Sequence, residues 1–283
     1  MQKIKDIRLF LRDSLAAQYP ESELRGFNNW ILEHLFDFSS MDALMQAEND
    51  LSDKNIKDVH RIVAFLKQEK PIQQIVGYAW FYGHKFSVNE HVLIPRPETE
   101  ELVDWILKDK PEGKSILDIG TGSGCIPITM ALNSNVQVSS VDISDLAIIQ
   151  AKENAKNLNA SINFIQADIL ADESLDKLDT YDVIVSNPPY VLESDKELMA
   201  NNVLDNEPHL ALFVPNEEAL KFYIAIADLA TEKLNKKGLL YFEIYEDKGQ
   251  ETLDMLTRKG FSNLELRKDL QGKDRMVKAI WKL

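Results

Sequence analysis

Apolar positions recur along this chain at two different periods, and the change of period divides it. From Ile4 to about Lys70 the spacing is helical, with Ile4, Ile7, Leu11 and Leu15 on one stripe and Phe27, Trp30, Ile31 and Leu35 on another. The run "SDKN" from Ser52 to Asn55 can cap a further helix through Val59, Ile62, Val63 and Leu66. These stripes predict a small helical bundle. Lys70-Pro71 breaks the helical pattern, and "WFYGHKFSVNEHVLIP" then alternates apolar and polar residues around Gly83 and Asn89-Glu90, as a β-hairpin does. The following "RPETEELVDWIL" returns to helical spacing at Leu102, Val103, Ile106 and Leu107, with Thr99 or Glu98 as its expected cap.

Beyond Lys110-Pro111-Glu112-Gly113 the pattern changes again, to short apolar runs separated by helical stretches. Strands are predicted over 115–119, 136–141, 162–165, 181–186, 239–244, 264–267 and 276–281, and helices over 144–158 and 217–234. Near-continuous apolar strands alternating with helices predict a mainly parallel sheet covered on both faces. The last two runs are joined by "KDLQGKD", too short for a helical crossover, so they should pair antiparallel. The fold class is therefore α/β: a seven-stranded Rossmann-like domain over residues 96–283, a linking hairpin over 73–95 and the N-terminal bundle over 1–72. Seven strands closing in a hairpin is the outline of the S-adenosylmethionine-dependent methyltransferases.

Composition narrows the function. The 283 residues include 45% apolar and 28% charged side chains, enough for a packed core. No apolar run approaches the roughly 18–20 residues that span a bilayer, and the charged start "MQKIKDIRLF" lacks the apolar stretch of a secretory signal, so a cytoplasmic protein with no membrane partner is expected. The single cysteine, Cys125, excludes an internal disulfide and reads as a small core residue behind a glycine loop. Five histidines without ligand spacing predict no metal. A net charge of −14 weighs against binding a phosphate backbone, so no direct nucleic-acid substrate is expected.

Candidate chemistry gathers at four predicted strand ends. "ILDIGTGSGC" ends the first with Gly120, Thr121, Gly122, Ser123 and Gly124, where absent side chains allow a tight turn and close approach of a ligand. Position 125 is not the glycine of a dinucleotide fold, and no Gly-Lys-Ser/Thr ending marks a phosphate loop, so the loop suits an adenosine without phosphates. A ligand-free strand-to-helix turn would use the same glycines. Asp142 at the second strand end can accept both ribose hydroxyls, and Asp168 at the third can accept from an adenine amino group, whereas Asp145 reads as a helix N-cap. At the fourth, "VIVSNPPYVLE" collapses into Asn187-Pro188-Pro189-Tyr190. The Asn187 side-chain oxygen and the Pro188 carbonyl can accept from one planar NH2 group, the prolines stiffen the loop, and Tyr190 can stack on the flat group. Prolines also simply end strands.

"VSNPPY", "LDIGTGSGCI", "VLIPRPETEELV", "NEPHLALF" and "KDLQGKDRMVKAI" together resemble the protein-glutamine methyltransferases that modify class I peptide chain release factors, the PrmC or HemK family. The resemblance implies methyl transfer from S-adenosylmethionine to the side-chain amide nitrogen (N5) of the glutamine in the factor's Gly-Gly-Gln loop. It implies a cofactor cradle of Gly120, Thr121, Gly122, Ser123, Gly124, Asp142, Asp168 and Ile169, touched also by Asn187. Asn187, Pro188, Pro189 and Tyr190 become the glutamine clamp, Arg96 and Glu98 to Glu100 shape the cofactor entrance or cap and pair locally, and the N-terminal bundle helps to grip the factor. A monomer is expected. The chain carries Asn216-Glu217-Glu218 where the family usually has a glycine-containing turn, and Gln74 where an aromatic is common. A ribosomal-protein glutamine methyltransferase and an adenine N6 methyltransferase of nucleic acid share Asn-Pro-Pro-Tyr; the Pro-Glu-Thr-Glu run favours the release-factor group.

Overall fold

The structure, a computed structural model, describes residues 1–171, 175–176, 178–199 and 201–282. It divides into two compact units, Met1–Tyr78 with Ala200–Asn206, and Ala79–Met199 with Glu207–Leu283.

The first unit is helical: α1 (Asp6–Leu15), α2 (Glu21–Phe36), α3 (Ser40–Met45), α4 (Asp53–Leu66) and α5 (Ile72–Val76). The stripe of Ile4, Ile7, Leu11 and Leu15 is buried, as are Val59, Ile62, Val63 and Leu66, and each such side chain contributes about 1.5–3 kcal/mol. Ser52 caps α4 through a reciprocal capping box with Asn55. On α2 the buried residues are Leu24, Ile31 and Leu32, while Phe27, Trp30 and Leu35 pack only partly buried against them. The helix α4 ends at Leu66, before Lys70-Pro71, and α5 starts with Pro71 as its N-cap, so residues 73–76 are helical before the hairpin begins. Gln74 points its Nε2 at the Asn206 carbonyl, 2.7 Å away.

The strands β1 (Tyr78–Phe81) and β2 (His84–Ser87) pair as the hairpin, and α6 (Pro97–Lys108) follows. Neither Thr99 nor Glu98 caps it: Arg96 is the N-cap and Pro97 opens the helix, which carries Thr99 inside its first turn. The sheet is built from β3 (Ser115–Ile119), β4 (Gln137–Asp142), β5 (Ile162–Gln166) and β6 (Tyr181–Ser186), with helices α7 (Cys125–Asn133) and α8 (Asp145–Asn157) between the first three. The cap of α8 is Ser144, whose hydroxyl accepts from Ala147 N at 3.2 Å, and Asp145 is the first helical residue. A short parallel pair, β7 (Val191–Leu192) and β8 (Phe213–Val214), flanks α9 (Asn201–Leu204) in the chain. Asn216–Glu218 form a single 3-10 turn, fixed by Ser194 N donating to the Asn216 side chain at 3.0 Å. Then come α10 (Lys221–Lys233), β9 (Leu234–Glu243), α11 (Gly249–Arg258), β10 (Phe261–Lys268) and β11 (Asp274–Trp281).

All seven expected strands join one sheet of order β10-β11-β9-β6-β3-β4-β5. The pairs from β5 across to β9 are parallel, and β11 pairs antiparallel with both β9 and β10. Successive connections run outward from β3 in one direction and from β6 in the other. The switch point between these two adjacent strands opens a crevice at their carboxyl ends, where open α/β sheets bind ligands.

Candidate active site

Strand register assembles the site. Ile119 of β3 lies beside Val141 of β4 and Ser186 of β6, and Ser186 lies beside Phe242 of β9. Gly120, Asp142, Asn187 and Glu243 are the next residue on each of these strands, so four ligand-capable groups stand in one row along the sheet edge. A cavity of ≈ 360 Å³ opens there, within the range of about 300–1,000 Å³ usual for small-molecule sites. Its walls include Gly120, Thr121, Gly122, Ser123, Asp142, Asp168, Ile169, Asn187, Pro188 and Pro189.

The glycine loop turns sharply because Gly120 and Gly122 take φ of +86° and +52°, a region that side chains disfavour. A Cβ on Gly120 would sit 3.8 Å from the Asn187 carbonyl oxygen, inside the crevice, and one on Gly122 would meet nothing. Gly124 has a different task. It is the N-cap of α7, outside the cavity wall, and a Cβ there would stand 2.8 Å from Ile128 Cδ1 and 3.1 Å from Ala151 Cβ. Its bareness serves packing of α7 on α8. Cys125, placed behind the loop on sequence grounds, reaches the cavity wall and is only partly buried, and burial pushes its thiol up to about 12.

Asp142 stands in the wall with its oxygens accepting from Gly122 N and Ser144 N, each at 2.9 Å. Burial raises its carboxyl above the usual range, and these backbone donors oppose that. A carboxylate has about four acceptor positions, so two remain for hydroxyls. Asp168 accepts from Leu170 N at 2.8 Å and keeps acceptor positions likewise.

Beneath the loop lies Asp118, a fully buried carboxyl inside the apolar run "SILDI". Ser140 Oγ donates to it at 2.5 Å and joins Thr121 Oγ1, while burial lifts the group to about 7.

Asn187 points Nδ2 at Thr99 Oγ1, 3.1 Å away. Thr99 in turn donates to Glu243 Oε2 at 2.6 Å, and Tyr190 donates from its hydroxyl to Glu243 Oε1 at 3.0 Å. Glu243 is 1% exposed, and its carboxyl is raised by burial, opposed by its hydrogen bonds to Thr99 and Tyr190. The Tyr190 ring packs on the core and tilts against Tyr245, away from the cavity wall. Thr99 was expected as a cap and Glu243 as part of an apolar strand. The signal available for Glu243 was a carboxylate within the apolar run "LLYFEI", at the same edge as Asn187.

Arg96 lines the cavity and pairs with Glu207 at 2.6 Å, and Glu207, its side chain 1% exposed, also accepts from Ile94 N. Glu98 and Glu100 lie outside the wall, accepting from Gln271 Nε2 and Tyr82 N. Among the described residues no group of His, Cys, Asp and Glu could hold a metal ion, and no helix is long and apolar enough to cross a membrane.

The geometry offers an adenosine-sized, acid-lined cavity that ends at an amide-and-proline loop. A methyltransferase-domain family matches residues 110–268. The chain is 43% identical over 282 residues to the release factor glutamine methyltransferase of Flavobacterium psychrophilum, covering 98% of each chain. It is 41% identical over 274 residues to that of Bacteroides thetaiotaomicron, covering 96% of this chain and 98% of the relative. Its fold is similar to a crystal structure of a methyltransferase from Pyrococcus furiosus, with a TM-score of 0.54 and 15% identity over 82% of this chain and all of that one.

Proposed function

This chain belongs to the release factor glutamine methyltransferase family, and from that membership we propose that it methylates the side-chain amide nitrogen of the glutamine in the Gly-Gly-Gln loop of class I peptide chain release factors. The residues present fit S-adenosylmethionine. Gly120 and Gly122 leave room for close approach, Asp142 would offer its free acceptor positions to ribose hydroxyls, and Asp168 and Ile169, on the same wall, would hold the adenine. Bound there, S-adenosylmethionine supplies a methyl group made electrophilic by a positively charged sulfur. The carboxylates of Asp142 and Asp168 on the wall favour a cationic ligand.

The remaining work is positioning. A carboxamide nitrogen is a weak nucleophile, so the gain comes from holding it in line and excluding alternatives. With Nδ2 engaged by Thr99, Asn187 turns Oδ1 outward as an acceptor for one N–H of the incoming amide, and the Pro188 carbonyl accepts the other. Pro188 and Pro189 fix the loop that carries both acceptors. As the N–C bond forms the sulfur–methyl bond would break, leaving a neutral thioether, and the proton of the nitrogen would pass to water, so no strong protein base is required.

The Met1–Tyr78 unit supplies a grip on the factor. Its helix α3 exposes Met41, Leu44 and Met45, at 66, 76 and 79%, which is apolar surface that a protein partner can cover. A net charge of −14 supports a protein rather than a nucleic-acid substrate, and a substrate of the translation machinery supports action in the cytoplasm; the proposed acting form is a monomer.

The observation that carries this reading is the juxtaposition of Gly120 and Asn187 across the β3–β6 switch point, in one cavity. Purified protein with methyl-labelled S-adenosylmethionine should label a recombinant release factor, and changing the loop glutamine to alanine should abolish labelling. Equal labelling of the alanine factor would defeat the assignment.

A further inference from the structure

We propose that Thr99 and Glu243 are positioning residues that set which end of the Asn187 amide faces the cavity. The inference rests on the amide clamp described above. An asparagine side chain is nearly symmetric in shape, so packing alone does not choose between presenting its oxygen and presenting its NH2 group. The choice is chemical, because only the oxygen can accept from a substrate amide.

The hydrogen-bond chain makes that choice from one end. Glu243 serves this chain as an acceptor, since each of its two carboxyl oxygens takes a proton from a neighbouring hydroxyl. It is buried at the end of β9, its Oε2 2.6 Å from Thr99 Oγ1 and its Oε1 3.0 Å from the Tyr190 hydroxyl. Both hydroxyls therefore point their protons at the carboxylate. Thr99 has one proton, and once it is committed the oxygen can only accept. Asn187, 3.1 Å away, then satisfies Thr99 only by donating from Nδ2. Its Oδ1 is left for the cavity.

With Val at position 99 the chain is cut, and neither amide orientation is preferred. With Gln at 243 a donor replaces an acceptor, and the Thr99 proton is free to turn toward Asn187. Either change leaves the backbone of the Asn187 loop in place, since the loop is also held by β6 and by Pro188 and Pro189. Tyr190 acts at the far end of the same carboxylate, which accounts for a tyrosine in this loop whose hydroxyl turns inward rather than toward the cavity.

The test uses the full chain as wild type, Thr99→Ser, Thr99→Val, Glu243→Gln and the Thr99→Val/Glu243→Gln double variant, with Asn187→Ala serving to assign the spectrum. The first readout is hydrogen exchange of the Asn187 side-chain NH2, identified in nitrogen-15 spectra by its absence from Asn187→Ala. It requires no turnover. Slow exchange in wild type and Thr99→Ser, with fast exchange in Thr99→Val and Glu243→Gln, is the expected result. The second readout is methyl transfer to a release factor. Thr99→Val and Glu243→Gln should each lower kcat by about 10²-fold with KM for S-adenosylmethionine little changed, the scale of loss that misplacement of a reacting group produces. The double variant should fall no further than the worse single one, because the residues act as a unit. Thr99→Ser should recover most of the rate.

Unchanged NH2 exchange in Thr99→Val, or a double variant whose losses multiply, would overturn the proposal. A wild-type protein with a slow-exchanging Asn187 amide that transfers no methyl group to the factor would uphold the orienting chain while defeating the substrate assignment. If Glu243→Gln does not fold, Thr99→Val and Thr99→Ser decide the matter alone.

Discussion

Replacing Gly124 by alanine separates two readings of the glycine loop. The sequence motif groups Gly124 with Gly120 and Gly122 as cofactor cradle, whereas the structure sets it against α7 and α8 with no share of the cavity wall. Its φ is +82°, which costs an alanine about 1–2 kcal/mol. The added Cβ would stand 2.8 Å from Ile128 Cδ1 and 3.1 Å from Ala151 Cβ, and overpacking of a well-filled core costs about 1–3 kcal/mol more. The expected loss is about 2–5 kcal/mol, or roughly 4–20 °C in Tm for a domain of this size. Thermal unfolding without cofactor reads the first quantity, and calorimetric titration with S-adenosylmethionine at low temperature reads the second. Lowered Tm with cofactor affinity kept within about tenfold, or about 1.4 kcal/mol, supports packing as the role of Gly124. A wild-type Tm together with collapsed affinity would refute the reasoning, because it would put the position in contact with the ligand.

Asp142→Ala removes the carboxylate offered to the ribose and leaves the Gly122 and Ser144 N–H groups to water. It should weaken S-adenosylmethionine by about 10²-fold, the equivalent of about 3 kcal/mol, and unchanged affinity in calorimetry would exclude the ribose role. Asp118 supplies a pH test with a definite sign. Its carboxyl titrates near 7 in the fold against an ordinary 3.8, so its contribution to stability is complete below about pH 4 and is lost as pH rises through about 7. The neutral Asp118→Asn should not share that loss. The stability difference between variant and wild type should move in favour of the variant from pH 5 to pH 8, by about 3 kcal/mol at most, and a difference flat with pH would contradict it.

Much of the sheet was legible because its strands are long apolar runs between turn residues. "SILDI" and "YDVIVS" match β3 and β6 end to end, and "KDLQGKD" gave the antiparallel closure through its length. Chain ends of helices were less legible. Pro97 at the first helical position and Ser144 before Asp145 follow ordinary capping chemistry, yet several capping residues stood close together in both places. The polar row at the sheet edge was legible where a motif marks it, at Gly120, Asp142, Asp168 and Asn187. It was not legible at Glu243, whereas Thr99 lay within the Glu98 to Glu100 run expected at the cofactor entrance and does line the cavity; the two lie 144 residues apart and meet because α6 packs its first turn over the end of β9. Tyr190 shows the converse limit. Its place in the motif suggested a surface for the substrate, but the buried Glu243 at the end of the neighbouring strand β9 draws the hydroxyl inward.

The central claim is that the Asn187 loop holds a protein glutamine in line with a methyl donor. Its most direct measurement is tandem mass spectrometry of a release factor after incubation with S-adenosylmethionine and either wild-type protein or Asn187→Ala. The expected result is one methyl group on the amide nitrogen of the Gly-Gly-Gln glutamine with wild type, and none with an Asn187→Ala protein whose Tm is unchanged. Methylation at another residue, or the same modification at the wild-type rate with Asn187→Ala, would contradict it.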